Sequence, residues 1–480
     1  MSNCKLENLL DQQEIQMLMS EWQVPGVSIG IVHNGEVLLQ QGFGYSDLEK
    51  QIQMTENTVM PIGSTSKSFT ALALGMLVDE GLLDWDAPVR QYVPWFEMYD
   101  KRVSDLVTVR DLLCHRTGLP NHDVHGVFSN KTRKEMVHDI RYLQPNTSFR
   151  TKLHYQNQMV MLGGYIIEAI TGKTWEEFVR TRVFEKLGMQ RSVFSLDDMK
   201  TFDAYSLPYS PGPDGAMVTN YIPIVGMGPA GAINSTAADM VKYLQLQLGR
   251  GQFGEMRLVS EANLSQMHSA QMLGSPYFWK FDEISPANYG LGWFVDSYRG
   301  HKMVSHGGNT RGFSALMTLL PDENFGIIML SNMDTSFMIY ALTYNILDRM
   351  LGLSPIDWPT KIKAALEPLF AGGRMMMEQR AKERVEGTSP SHPLAAYAGV
   401  YEHPAYGSID IQHDGSSLKG NYNGYELLIN HYHYDTFDIL ILAMNLPYLI
   451  TFQANAQGKI DQIVVQFEPT VDPIVFKQKA

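Results

Sequence analysis

Cysteine is nearly absent: Cys4 and Cys114 are the only two in 480 residues. Two thiols build neither a disulfide framework nor a zinc site, and they fit a reducing compartment, so a cytoplasmic location is expected. The start of the chain, Met1-Ser2-Asn3-Cys4-Lys5-Leu6-Glu7, lacks a basic region followed by an apolar run, so no secretory signal is expected there. No membrane span is expected either. Positive charge is also in short supply. Against 51 acidic residues there are 38 basic ones, a formal charge of −13, which argues against nucleic acid or an acidic membrane surface as the main partner. The hydrophobic share of 44% is that of an ordinary globular chain, long enough for two or three domains with a large core.

What is present is concentrated first in Gly63-Ser64-Thr65-Ser66-Lys67-Ser68-Phe69-Thr70. Here a hydroxyl precedes a lysine by three residues. The following Ala71-Leu72-Ala73-Leu74-Gly75-Met76-Leu77-Val78 reads as a mostly buried helix, and residues three apart share one helix face. The lysine nitrogen then lies one turn from the Ser64 hydroxyl. Pro61-Ile62-Gly63 turns into the helix and puts Ser64 at its N-terminus. There, free N–H groups and the helix dipole favour negative charge on an attacked carbonyl oxygen. A serine is a poor nucleophile until its proton is removed, and a desolvated lysine can remove it. Plainer accounts stand beside this one. Ser64 can be an N-cap and Lys67 a solvated first-turn residue. A phosphate-binding loop is a further reading, but Ser66 occupies the place of its required glycine.

Before the serine, helical spacing runs from about Leu6 to Trp22. Val27–Val32 and Glu36–Leu39 follow as strands joined by Asn34-Gly35, a hairpin turn. After it, Thr108 to His115 reads as a short capped helix, and Asn121 to Ser148 as a loop-and-helix region beside a cleft. Leu153-His154-Tyr155-Gln156-Asn157-Gln158 leads into an apolar helix from about Met159 to Ile170, stopped at Thr171-Gly172. Tyr155 is a proton carrier if a nearby cation favours its phenolate, and Asn157 offers an amide donor and acceptor. The plainer account is a surface tyrosine and an N-cap. Gly226 to Ala232 reads as a tight glycine-rich turn before a helix capped at Asn234-Ser235-Thr236. Tyr289–Val295 reads as a strand, and three further strands follow around His306-Gly307-Gly308. Two glycines at a strand edge let a substrate backbone come close, and His306 is a candidate catalytic residue that can hydrogen-bond a substrate or a neighbouring tyrosine, although it also suits a structural role.

The order Ser64-x-x-Lys67, Tyr155-x-Asn157, His306-Gly307-Gly308 resembles the serine β-lactamase-like superfamily. The nearest resemblance is to the class C β-lactamase branch, with its penicillin-binding carboxypeptidases, D-aminopeptidases and carboxylesterases. Leu112 to Pro120, Leu162 to Glu168, Glu185 to Met189 and Pro229 to Met240 extend the likeness over roughly residues 10–350. The resemblance implies an α/β (α+β) fold in which an antiparallel sheet is flanked by helices and a helical subdomain. It implies Ser64 as nucleophile, Lys67 as its activator and Tyr155 as acid and base. Asn157, Gly307, Gly308 and Asn309 would meet the substrate, and the N–H groups of Ser64 and Asn309 would form the oxyanion hole. His306 stands where many relatives carry a lysine that holds a substrate carboxylate, so esters and amides without a carboxylate are favoured. The implied activity is hydrolysis of small esters or amides, D-amino-acid peptides or β-lactams among them, without metal or cofactor. The alternative is a penicillin-binding sensor that acylates without turnover.

The C-terminal part has a different pattern. Short alternating runs at Ser408–Gln412, Tyr425–Ile429, Phe437–Ile441, Tyr448–Phe452 and Ile460–Val465 predict a β-barrel that resembles a lipocalin-like appendage. The expected division is a hydrolase domain over 1–355, a helical linker over 356–392 whose charged, Met-containing helical stretch runs from Arg374 to Glu386, and the barrel over 393–480. The barrel is also a candidate contact for a homo-oligomer. His431, His433 and Asp435, like Asn121-His122-Asp123-Val124-His125, suit a metal site or, more simply, a polar surface.

Overall fold

The computed structural model describes residues 9–224, 226–274, 280–285, 288–443 and 445–479. Cys4 and the expected start of the first helix at Leu6 lie outside them. Helix α1 (Gln12–Glu21) is capped by the Asp11 side chain and buries Ile15, Leu18 and Met19. Strands β1 (Gly26–His33) and β2 (Glu36–Asp47) form the expected hairpin, with Asn34 and Gly35 both at positive φ. After the short β3 (Ile52–Gln53), a single 3₁₀ turn at Gly63–Thr65 carries the serine into helix α2 (Ser66–Asp79). Helix α3 (Val109–Leu113) starts on a reciprocal Thr108–Asp111 capping box. Helices α4 (Asp123–Val127), α5 (Gln158–Thr171) and α6 (Ala237–Leu248) follow. The remaining strands of the sheet are β4 (Met272–Leu273), β5 (Asn288–Tyr289), β6 (Phe294–Tyr298), β7 (His301–Thr310), β8 (Phe313–Leu320) and β9 (Phe325–Ser331).

These strands make one nine-stranded antiparallel sheet in the order β4-β5-β6-β7-β8-β9-β1-β2-β3. Strand β1 pairs with β9, Val27 opposite Ser331, so the first hairpin closes onto the last strands. Alternation along the strands feeds two cores. Val27, Ile29, Ile31, Ile327 and Met329 pack with α1 and with α7 (Met338–Leu351) on one face. Ile328, Leu330 and Met317 pack with α2 and α6 on the other. Helix α2 is buried from Ser66 to Leu77, and Phe69 stacks on Tyr243 of α6 with ring centroids 3.8 Å apart. Its burial on every side matches its lack of a polar face.

Two expected elements differ from the structure. The run Tyr289–Val295 is split between β5 and β6, because residues 290–293 cross over α2. A side chain at Gly292, which has φ +75, would stand 2.9 Å from the Lys67 carbonyl. Helix α8 (Trp358–Glu383) begins well before the charged stretch expected from Arg374. It runs through Pro368, Gly372 and Gly373, all residues that oppose helix by propensity. No helix among the described residues is long and apolar enough to cross a membrane.

Beyond α8, strands β10 (Gly399–His403), β11 (Gly407–His413), β12 (Leu418–Tyr422), β13 (Tyr425–His433), β14 (Thr436–Ile441), β15 (Leu446–Ala454), β16 (Ile460–Val465) and β17 (Ile474–Gln478) close into an eight-stranded barrel. Aromatic rings fill it, among them Tyr397, Phe437 and Phe452, with centroids 4.9–5.4 Å apart. The barrel docks on residues 122–146 of the first part. Phe128 meets Tyr425 edge-on, the Lys131 ammonium donates to the Pro404 carbonyl at 2.6 Å, and the Asn146 amide donates to the Thr470 hydroxyl at 2.8 Å.

Gly308 of β7 fixes the distance between the sheet and the serine turn. A Cβ there would stand 1.9 Å from the Ile62 carbonyl and 2.9 Å from the Ser64 nitrogen. Gly308→Ala is therefore expected to push the turn off the strand and lower turnover by about 100-fold. Circular dichroism should remain that of the parent. Turnover equal to the parent would show that the strand yields instead.

Candidate active site

Lys67 is fully buried in α2, and three oxygens surround its nitrogen. Ser64 Oγ lies at 2.8 Å, Asn157 Oδ1 at 2.7 Å and the Ala230 carbonyl at 2.8 Å. Burial pulls the lysine pKa down from 10.5 to about 7, against a smaller upward pull from the Asp123 charge. The neutral amine has two N–H bonds and one lone pair. Asn157 Oδ1 and the Ala230 carbonyl can only accept, so the two N–H bonds go to them. The lone pair then faces the Ser64 hydroxyl. This geometry equips Lys67 to take the serine proton.

Asn157 stands at the N-cap position of α5, yet its side chain makes no capping bond. Its Oδ1 accepts from Lys67, and its Nδ2 donates to Asp123 Oδ1 at 3.0 Å. Asp123 opens α4 and faces the cleft, open to solvent but walled by protein. That partial loss of bulk water raises its carboxyl pKa, while Asn157 and Lys67 pull it down. The sequence reading did not place Asp123 in the site. Its sequence signal is a carboxylate set among the histidines of residues 121–125, a group that suits a metal site or a polar surface. No group of three potential metal ligands occurs among the described residues. The Ala230 carbonyl was also missed, because a backbone acceptor has no residue-type signature.

The Tyr155 phenol lies beside Ser64, and Lys67 Nζ sits 4.9 Å from its ring centroid. Burial pushes the phenol pKa well above 10, against a smaller downward pull from Ser64. The condition for a phenolate was a neighbouring cation, and a neutral Lys67 does not supply one. Tyr155 is therefore a protonated phenol, able to donate.

His306 is buried beside the phenol, its ring centroid 6.2 Å from that of Tyr155. Its Nδ1 lies 2.6 Å from the Gly307 carbonyl and its Nε2 lies 2.7 Å from the Tyr289 hydroxyl. A carbonyl only accepts, so Nδ1 carries the proton and Nε2 accepts from Tyr289. Burial, with help from Lys67, lowers the His306 pKa to about 3. His115 is likewise buried and held neutral, 4.5 Å from both the Tyr155 and Tyr289 rings. Two uncharged imidazoles thus stand behind the serine.

The cleft in front of Ser64 has a volume of about 220 Å³. Asp123 and Asn157 form one wall, Val127, Ile222, Ile224 and Met227 give it an apolar lining, and Asn309, Thr310 and Arg311 of the β7 end complete it. Arg311 is tethered by its Nε to the Thr219 hydroxyl at 2.7 Å. Gly307 is packed against the Tyr340 hydroxyl, and Gly308 against the serine turn. In the barrel, the second histidine group is occupied with local bonds. His431 Nε2 pairs with the Tyr434 carbonyl, His433 Nδ1 accepts from the Val385 N–H, and Asp435 accepts from Ser391 and Tyr397.

Comparison with known proteins agrees with this architecture. The Beta-lactamase family model matches residues 12–348, and a domain of unknown function (DUF3471) matches residues 383–478. An unguisins hydrolase of Aspergillus campestris is 29% identical over 436 residues, covering 84% of this chain and 78% of that protein. The D-amino acid amidase of Ochrobactrum anthropi, solved with L-phenylalanine amide, is 25% identical with a TM-score of 0.59, covering 71% of this chain and 98% of its own. An octameric penicillin-binding protein homologue from Pyrococcus abyssi shares 22% identity and a TM-score of 0.63, over 97% of this chain and 99% of its own; at that identity the likeness is one of fold.

The environment of Lys67 makes a direct prediction. In protein carrying ¹³Cε-lysine, one lysine signal should titrate near pH 7 and disappear in Lys67→Ala. Asp123→Asn removes a negative charge that favours the ammonium, so the same titration should move to lower pH. A Lys67 titration near the usual lysine value would contradict the assigned burial.

Proposed function

The chain belongs to the beta-lactamase family and is a serine hydrolase, and we propose that it cleaves small amides and esters through an acyl-enzyme on Ser64. The observation that carries this reading is the three-oxygen cage around Lys67, which leaves the lone pair for the Ser64 proton. In the first step, the Ser64 oxygen attacks the substrate carbonyl as Lys67 takes its proton. The N–H groups of Ser64 and Asn309, from the turn and strand pressed together at Gly308, receive the developing oxyanion. The Tyr155 phenol, beside Ser64, passes a proton to the leaving group and recovers it from Lys67. Water then releases the acyl group by the same steps in reverse.

The cleft supports a narrower substrate class. An apolar wall with one carboxylate, Asp123, suits an acyl part that combines an apolar side chain and a protonated amine. An amino acid amide has that form, and the amidase of Ochrobactrum anthropi was solved with one. The neutral His306 supports substrates that need no cation at that position, which counts against efficient turnover of penicillins.

The test is turnover of D- and L-phenylalanine amide, and of the same amides lacking the amine, with intact-protein mass followed in parallel. Ser64→Ala should abolish turnover and any acyl adduct while the fold survives. Tyr155→Phe should lower the rate by about 10²–10⁴-fold. Asp123→Ala should raise KM for the amine-bearing amide by about tenfold relative to the amine-free one. Undiminished turnover in Ser64→Ala would reject the acyl-enzyme. A lasting adduct without turnover would make the protein an acylating binding module instead.

A further inference from the structure

The barrel touches the first part of the chain at the residue beside Asp123. His122 has a left-handed backbone, φ +45, which is strained for a residue other than glycine and persists only when its surroundings hold it. Two of the holding contacts come from the barrel side. The His122 N–H donates to Glu468 Oε2 at 3.2 Å, and His122 Nδ1 lies 2.7 Å from the Tyr406 hydroxyl. On its other edge, Nε2 lies 2.9 Å from the Gln144 carbonyl. That carbonyl can only accept, so the proton is on Nε2, and Nδ1 accepts from the Tyr406 hydroxyl. Each ring nitrogen therefore has one complementary partner, and the ring has one orientation.

The backbone on either side is held as well. The His122 carbonyl accepts from Gln158 Nε2 at 2.8 Å, one residue beyond Asn157. Glu468 is 6% exposed and is itself fixed by the Thr470 N–H and hydroxyl, at 3.2 and 2.6 Å. At the far end of α4, Phe128 packs edge-on against Tyr425 of the barrel, with centroids 5.0 Å apart. The helix that begins at Asp123 is thus clasped by the barrel at both ends. Its own internal hydrogen bonds are few, since it is a five-residue helix.

We propose that the barrel is a positioning part of the acyl-binding cleft: Tyr406 and Glu468, acting through His122, hold Asp123 at the place where it meets a substrate amine. The proposal rests on the amine-binding reading of Asp123 given above. Tyr406 and Glu468 do not touch the substrate, so they act on recognition through the aim of a neighbouring carboxylate.

The test uses the full chain. Tyr406→Phe, Glu468→Gln and the double variant are compared with the parent and with Asp123→Ala. For each, kcat and KM are measured on phenylalanine amide and on the same amide lacking the amine, and thermal melting is followed on the same samples. The expected result is that the preference for the amine, the ratio of the two kcat/KM values, falls about tenfold in the double variant. KM on the amine-bearing amide should carry the change. A purely structural clasp would lower both substrates together, leave the ratio unchanged and overturn the proposal. An unchanged ratio in the barrel variants, alongside a collapsed ratio in Asp123→Ala, overturns the proposal and leaves the amine-binding reading standing. An unchanged ratio in Asp123→Ala overturns that reading, and this proposal falls with it.

Discussion

The site depends on keeping one amine dry. Lys67 is held in a helix with no solvated face, and the groups around it are neutral acceptors or neutral rings. Water would stabilise an ammonium by several kcal/mol, and its exclusion brings the proton affinity of this nitrogen down to a neutral-pH range. The nearby Asp123 charge moderates that effect, and Asn157 bonds to both groups. Much of the surrounding packing serves this end. The apolar wrap of α2, the stacking of Phe69 on Tyr243 and the crossing of residues 290–293 over the helix all remove solvent from around the same turn.

Neutrality extends behind the nucleophile. A lysine at position 306 would add a positive charge near Lys67 and lower its proton affinity further. His306, with Nδ1 bonded to the Gly307 carbonyl and Nε2 accepting from Tyr289, adds none. Charge that can choose a substrate is therefore found in front of the serine, at Asp123 and Arg311. An arrangement of this kind separates the chemistry, which is tuned by burial, from recognition, which is tuned by the residues of the cleft wall.

The legible part of the sequence was the part written in side-chain spacing. Ser64 and Lys67 share a helix face by their separation alone, and the Asn34-Gly35 hairpin and the caps at Thr108 and Thr236 follow from local chemistry. Five of the barrel strands showed clear alternation. Strands β10, β12 and β17 did not, because a run such as Leu418-Lys419-Gly420-Asn421-Tyr422 has few apolar residues and becomes a strand only when its neighbours close the barrel. Helix α8 was obscured by its proline and glycines, which lie on an exposed stretch where no packing accounts for the helix. Within the site, Asp123 and Ala230 were illegible for a different reason. Each reaches Lys67 from a distant segment, one through another side chain and one through a backbone carbonyl, and no local pattern encodes such a meeting.

The pairing of β1 with β9 has a consequence for the life of the chain before it is an enzyme. Ile29 cannot find Met329 until some three hundred further residues have left the ribosome. Until then the first hairpin exposes a run of β-branched residues and an unpaired edge, the kind of surface on which nascent chains stick to one another. The strand that carries Gly308 belongs to the same late group, so the serine turn has no wall to rest against during most of synthesis. A sheet that closes last onto its first strand folds slowly, because its contacts are distant in sequence. For this protein, the moment of topological closure is also the moment at which its chemistry becomes available.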